Sequence, residues 1–394
     1  MSVAVTGIGC ISGLGCGAEE HLQAFRAGGS GLGKVTLFQT RLQVPVAEVK
    51  VSNEQLKSYL GVDSDRLFSR TALLGMTASK QAFQDAGLSN SHLRIGLVSS
   101  SSVGGMDLSE QFFADYAANP QKGRLRMAAH HDIGDHTESI ADYLQLDGFR
   151  TSISTACSSS ANSIMFGARM IEQGLLDVVI AGGTDALCRF TLNGFNSLMI
   201  LDNVPCRPFD ESRAGLNLGE GAGYLVLQSE KSLMPGSKVY CRLTGYANAN
   251  DAYHQTASSP EGEGAFLAMR HALEKAGIEP SVVDYINVHG TGTSNNDLSE
   301  STAIKRLFGE HVPPFSSTKS FTGHTLGAAG GLEAVFSVLA ISERVIYPSL
   351  NFRTPITQTG LSPVTRMMED QDITTVLSNS FGFGGNNASL IFQK

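Results

Sequence analysis

The chain of 394 residues is longer than one ordinary domain needs, so two domains or one duplicated fold are expected. A hydrophobic share of 42%, a charged share of 17% and 43 glycines describe a globular enzyme rich in tight turns and exclude a disordered or fibrous chain. A formal charge of −8 excludes nonspecific nucleic-acid binding, and an acidic protein partner would need a local basic patch.

The N-terminus runs MSVAVTGIGC straight into an apolar strand pattern, so no secretory signal is expected, and no apolar run of about 18 residues stands ready to span a bilayer. Further along, apolar runs of strand length at 3–8, 95–99, 178–181, 224–228, 285–288 and 375–378 alternate with segments of helical period at 71–86, 161–172, 265–276 and 332–341. That alternation predicts an α/β protein with helix-covered sheets. The sequence Ala86-Gly87-Leu88 before the strand at 95–99 recurs 190 positions later as Ala276-Gly277-Ile278 before the strand at 285–288. The register is kept through helix, turn and strand, which predicts an internal duplication with halves at 1–238 and 239–394. Two such halves packed face to face would bring equivalent strand ends together, where α/β folds tend to bind ligands.

The six cysteines, Cys10, Cys16, Cys157, Cys188, Cys206 and Cys241, contain no CxxC pair. Neither a metal site nor a disulfide framework is expected, and a reducing cytoplasm fits. Cys157 stands apart because the strand-like 152–155 ends just before it and a helical face begins just after it. The positive end of the helix dipole is expected to favour its thiolate. The other five read as packing residues.

His289 ends an apolar strand in NVHGTGT, where it can reach into a cleft, and the hydroxyls of Thr291 and Thr293 follow as hydrogen-bonding groups for an amide-bearing substrate arm. His324 lies in STKSFTGHTLGAAGG, whose small residues permit close packing at a helix start. Lys319 sits in that same stretch with no other charge, so it needs an acidic partner, with Glu300 and Asp297 as candidates. The remaining histidines, His21, His92, His130, His131, His136, His254, His271 and His311, read as surface residues.

Four motifs in order, TACSSS, RPFDESRAGLNLGEGAG, NVHGTGT and STKSFTGHTLGAAGG, together with TGIGCIS near the start and SNSFGFGGNNASL near the end, resemble the β-ketoacyl-acyl-carrier-protein synthases of the KAS I/KAS II type over the whole chain. The resemblance implies the duplicated five-layer α/β/α/β/α thiolase fold. It further implies a decarboxylating condensation, with Cys157 as nucleophile, His289 and His324 as the catalytic histidines, and Lys319 beside them, paired with Glu300. It implies an oxyanion hole from the backbone N–H groups of Cys157 and Phe383, and substrate contacts from Thr291, Thr293, Leu216, Phe381 and Phe383. The implied partners are an acidic acyl carrier protein, which brings its own phosphopantetheine so that no other cofactor is needed, and a second subunit in a homodimer or heterodimer. Arg66 and Arg70, with Lys122, Arg124 and Arg126, fall where related enzymes place docking cations. Three departures bear on acyl specificity: Leu216 stands where phenylalanine is usual, Asn386 replaces the threonine of GFGGTN, and TACSSS replaces the commoner TACAT. A thiolase would need a second cysteine near the C-terminus, and none follows Cys241. A silent, chain-length-factor-like subunit is the alternative from another class, opposed by the retained cysteine and both histidines.

Overall fold

The computed structural model describes residues 2–88 and 92–394. The first half supplies β1 (Val3–Ser12), α1 (Arg70–Asp85), β2 (Ile95–Ser100), α2 (Met106–Ala118), β3 (Arg150–Ile153), α3 (Ser159–Glu172), β4 (Val178–Asp185), α4 (Arg189–Ser197) and β5 (Gly221–Gln228). The second supplies β6 (Cys241–Asn250), α5 (Glu263–Ala276), β7 (Tyr285–Asn287), α6 (Ser294–Phe308), β8 (Phe315–Ser316), α7 (Ala329–Glu343), β9 (Thr375–Gly382) and β10 (Asn386–Gln393).

The strand order carries the duplication. The first half pairs as β3-β2-β4-β5-β1 and the second as β8-β7-β9-β10-β6, which is the same order with corresponding strands exchanged. In both halves the first three strands run parallel and the last two join antiparallel. A short antiparallel seam between Val3–Val5 and Cys241–Leu243 links the halves edge to edge.

Helix α1 covers the outer face of the first set of strands and α5 that of the second, while α3 and α7 pack against each other between them. The result is the five-layer α/β/α/β/α thiolase fold. Position in the layers explains the helix compositions: α7 is buried continuously from Ala329 to Ile341, as a helix apolar on every side must be, whereas α5 buries one stripe. The stretch 326–343 is apolar enough to cross a membrane by composition, but it is this core helix. The glycines at its start have a steric reason: a Cβ on Gly331 would lie 2.4 Å from the carbonyl oxygen of Gly223 in β5, so only glycine lets the helix backbone touch the strand.

Two expectations are corrected here. His21 and His136 are fully buried and not at the surface. His21 shares the inner face of the helix Ala18–Ala27 with Leu22 and Phe25, and burial holds its pKa down at about 4; His136, hydrogen-bonded to Ser99 at 2.7 Å, is held down likewise. Arg70 is likewise not a docking cation. Its guanidinium is buried against Glu220 through bonds of 2.7 and 2.9 Å and also donates to Asn53 and the carbonyls of Val49 and Val51. Arg70→Ala leaves the Glu220 charge buried and unpaired, so chemical denaturation is expected to show a loss of about 3–5 kcal/mol. A change below about 1 kcal/mol would contradict this assignment, being the range of a surface pair.

Candidate active site

Strand β3 stops at Ile153 and α3 begins at Ser159, two residues earlier than the apolar period predicts. The turn between them is tight. Ala156 is held at a φ of 54°, a left-handed conformation unfavourable for a side-chain-bearing residue and characteristic of strained functional turns. It projects Cys157 toward the loop joining β9 to β10. That loop comes close because of Gly382, whose Cβ, if present, would lie 3.0 Å from the Thr155 carbonyl oxygen and 3.2 Å from the Cys157 nitrogen. The backbone N–H of Phe383, next in the loop, acts with that of Cys157 itself to lower the Cys157 pKa, against the larger effect of burial. The backbone N–H groups of Cys157 and Phe383 are thereby brought to one place.

The electrostatics at Cys157 differ from the sequence expectation. The thiol is 6% exposed, and burial pushes its pKa up to about 11 against the opposing pull of the Lys319 ammonium and the local N–H groups. In the resting protein desolvation outweighs the helix dipole, and the sulfur is held as a thiol.

Facing it are the two imidazoles, with ring centroids 5.3 Å apart and planes nearly perpendicular. The Leu326 N–H donates to His324 Nδ1 at 3.1 Å, so the His324 proton must sit on Nε2. The Lys319 ammonium lies 3.3 Å from His289 Nδ1 and can only donate, which puts the His289 proton on Nε2 as well. Burial, and then the nearby Lys319 charge, hold both imidazoles well below the ordinary histidine range. They are two neutral N–H donors.

The partner of Lys319 is Glu333 of α7, not Glu300 or Asp297. The ammonium pairs with the Glu333 carboxylate and donates to the His289 carbonyl oxygen at 2.6 Å. Burial pushes the Glu333 carboxyl up to about 7, with the Lys319 charge opposing. Glu300 supports the site differently: its two oxygens accept the backbone N–H groups of His289 and Gly290, each at 2.8 Å, and the Asn379 amide at 3.1 Å. Asp297 accepts the N–H groups of Phe209 and Gly292. A signal for Glu333 was present in the sequence, since it is the only charge between Ala329 and Ile341 in a segment too apolar to face water.

A cleft of about 220 Å³ opens onto these groups. Cys157, His289 and His324 share its walls with Leu216, Phe381 and Phe383, and Thr291 and Thr293 line it with hydroxyls 2.9 Å apart. The Phe383 ring stacks on Phe195 of α4 at 5.9 Å. Arg66, Arg124 and Arg126 are exposed and lie outside the cleft lining; Arg66 stands 3.6 Å from Asp142.

A duplicated α/β fold that gathers a helix-start cysteine, paired backbone N–H groups and two neutral imidazoles is the architecture of a condensing acyltransferase. The β-ketoacyl synthase N-terminal domain matches residues 1–232 and the β-ketoacyl synthase C-terminal domain residues 240–353. The chain therefore belongs to the β-ketoacyl synthase family. It is 36% identical over 410 residues to 3-oxoacyl-[acyl-carrier-protein] synthase 2 of Staphylococcus aureus (strain COL), covering 100% of this chain and 98% of that one. It is 35% identical over 418 residues to the enzyme of the same name from Rhizobium meliloti (strain 1021), with the same coverage. Among solved structures, the ishigamide ketosynthase/chain length factor superposes with a TM-score of 0.94 at 32% identity, covering 100% and 99% of the two chains. The ketosynthase ApeO in complex with its chain length factor ApeC, from Xenorhabdus doucetiae, gives 0.84 at 33%, covering 100% and 98%.

Because folding holds both imidazoles neutral, their contribution to stability is complete above the unfolded histidine pKa of about 6.5 and is lost as the pH falls below it. In a histidine NMR titration, the His289 and His324 ring signals should stay unmoved as the pH is lowered through about 6.5; midpoints near that value would refute the neutral-donor geometry.

Proposed function

We propose that this condensing enzyme is a 3-oxoacyl-[acyl-carrier-protein] synthase that joins an acyl chain held on Cys157 to a malonyl thioester. The observation that carries the reading is the pair of Nε2–H donors beside a buried thiol. In the first half-reaction the Cys157 sulfur attacks the acyl thioester, and the Cys157 and Phe383 N–H groups hold the tetrahedral oxyanion. The carrier thiol leaves with the proton that Cys157 gives up, so the exchange is thiol for thiol. In the second, carbon dioxide departs from the malonyl group while His289 and His324 stabilise the enolate oxygen. The carbanion attacks the acyl group, and Cys157 leaves and recovers a proton from solvent. Glu300 and the Lys319–Glu333 pair keep the His289 strand end in place.

The cleft chemistry supports the substrate arm. Thr291 and Thr293 offer hydroxyls to the amides of phosphopantetheine, which arrives on the carrier, so the enzyme needs no cofactor of its own. Leu216, Phe381 and Phe383 supply an apolar lining near the reacting carbon. Leu216 and the SSVGGMD stretch favour a polyene or polyketide pathway over primary fatty-acid synthesis. A dimer is part of the proposal: β3 ends the sheet with an edge unpaired among the described residues, and Phe113, Leu125 and Phe190 are exposed. The relatives described with a chain length factor make a heterodimer the second form of the same idea. Six free cysteines suit a cytoplasmic setting. The silent-subunit reading is opposed by the complete set of Cys157, His289, Lys319 and His324.

Incubation with acyl- and malonyl-carrier proteins should release carbon dioxide and give the ketoacyl product. Cys157→Ala should abolish the covalent acyl adduct seen by intact mass, whereas His289→Ala or His324→Ala should keep the adduct and slow condensation by about 10²–10³. Loss of the adduct in the well-folded histidine variants would sink this division of labour. Charge reversal of Arg66, Arg124 and Arg126 together should raise KM for carrier-bound acyl groups and leave KM for a short pantetheine thioester unchanged; an unaltered carrier KM would reject that docking face.

A further inference from the structure

Two of the three positions where this chain departs from the family pattern touch each other. The Asn386 side-chain oxygen accepts the Ser158 hydroxyl at 2.6 Å, and the same oxygen accepts the side-chain amides of Asn162 at 2.9 Å and Asn248 at 2.7 Å. The one Ser158 hydroxyl proton is shared with the Thr155 carbonyl oxygen, 2.8 Å away, and Asn162 donates to the Thr155 hydroxyl at 2.8 Å. One amide oxygen thus ties β10 to the nucleophile turn, the first turn of α3 and β6.

Its place in the chain gives this knot its meaning. Asn386 pairs with Gly382 to close the three-residue loop that carries Phe383. Within that loop Gly384 and Gly385 have φ values of 79° and 74°, so the backbone between Phe383 and Asn386 has little stiffness of its own. The Gly384 N–H donates to the Gln255 carbonyl at 2.7 Å and Asn250 donates to the Gly384 carbonyl at 2.8 Å, which holds the loop's outer side; the direction of the Phe383 N–H toward Cys157 then depends on where the far stem is fixed.

We propose that Asn386 is a positioning residue: with Ser158 and Asn162 it fixes the Phe383 loop to the start of the nucleophile's helix and so aims the Phe383 N–H at the reacting thioester. The proposal rests on Cys157 being the acyl acceptor. It assigns to this chain a fastening in which the residue after the nucleophile and the residue after the loop act as one unit.

The test compares Asn386→Leu, Ser158→Ala and the double variant by rapid-quench acylation of Cys157 from an acyl-carrier thioester, with circular dichroism to verify folding. Asn386→Leu should slow acylation about tenfold or more at nearly unchanged KM, because misdirection of a transition-state donor affects chemistry before binding. It should also displace the pH profile of Cys157 alkylation by iodoacetamide upward, since the Phe383 N–H would no longer help lower the thiol pKa; a merely structural role would not move that profile. Ser158→Ala should act in the same direction more weakly, which keeps the test open if the leucine variant folds poorly. The double variant should be no slower than Asn386→Leu alone. Wild-type acylation rate and alkylation profile in folded Asn386→Leu, or multiplying losses in the double variant, would overturn the proposal. Failure of the wild-type protein to acylate at Cys157 would instead overturn the reading of the site.

Discussion

A lysine ammonium with 1% exposure sits at the centre of this protein, and the arrangement around it depends on how that charge is met. In so dry a setting an unpaired ammonium would be prohibitively costly, so Glu333 must come from the central helix to oppose it. The remaining Nζ donors then go to the His289 carbonyl and ring. The pair therefore does more than neutralise: it locks α7 to the end of β7 and fixes the His289 tautomer, and the Lys319 ammonium adds to burial in depressing both imidazoles and opposes the rise of the Cys157 pKa.

The surrounding fold can deliver these groups because it is two copies of one chain path. Equivalent strand ends face a common centre, so Cys157 at the end of the β3 path and the Lys319–His324 stretch at the end of the β8 path arrive from corresponding places in the two halves. The helices that follow, α3 and α7, meet there with small residues: a Cβ on Gly330 would sit 3.0 Å from Ala161. Glycine and alanine at this contact let two helix starts approach far closer than ordinary side chains allow. Burial then sets the chemistry, keeping the thiol protonated and the imidazoles neutral, a resting state in which the reacting groups are uncharged and the donors are ready.

Much of this was legible in the residue pattern. The duplicated register, the strand positions and the isolation of Cys157 from the other cysteines follow from periodicities of two and 3.6 and from the order of small residues, which are local properties. Helix and strand ends were displaced by one to four residues, because capping by Ser69 and pairing of β1 with β5 as far as Ser12 extend elements past their apolar runs. His21 and His136 were misjudged for a related reason: polar neighbours in sequence do not reveal that a histidine lies on the inner face of its helix.

The sequence by itself determined the chain's α/β class, its internal repeat and its candidate reactive groups, because each is written in spacing and residue type, and the resemblance of its motifs to a known family assigned those groups to acyl transfer. Only the tertiary structure decided which acid neutralises Lys319, that Arg70 is a core ion pair and not a surface cation, and that burial outweighs the helix dipole at Cys157. Those outcomes depend on distance and dielectric between residues far apart in the chain: Glu220 lies 150 positions from Arg70, and Asn386 lies 228 from Ser158. A linear pattern carries neither quantity.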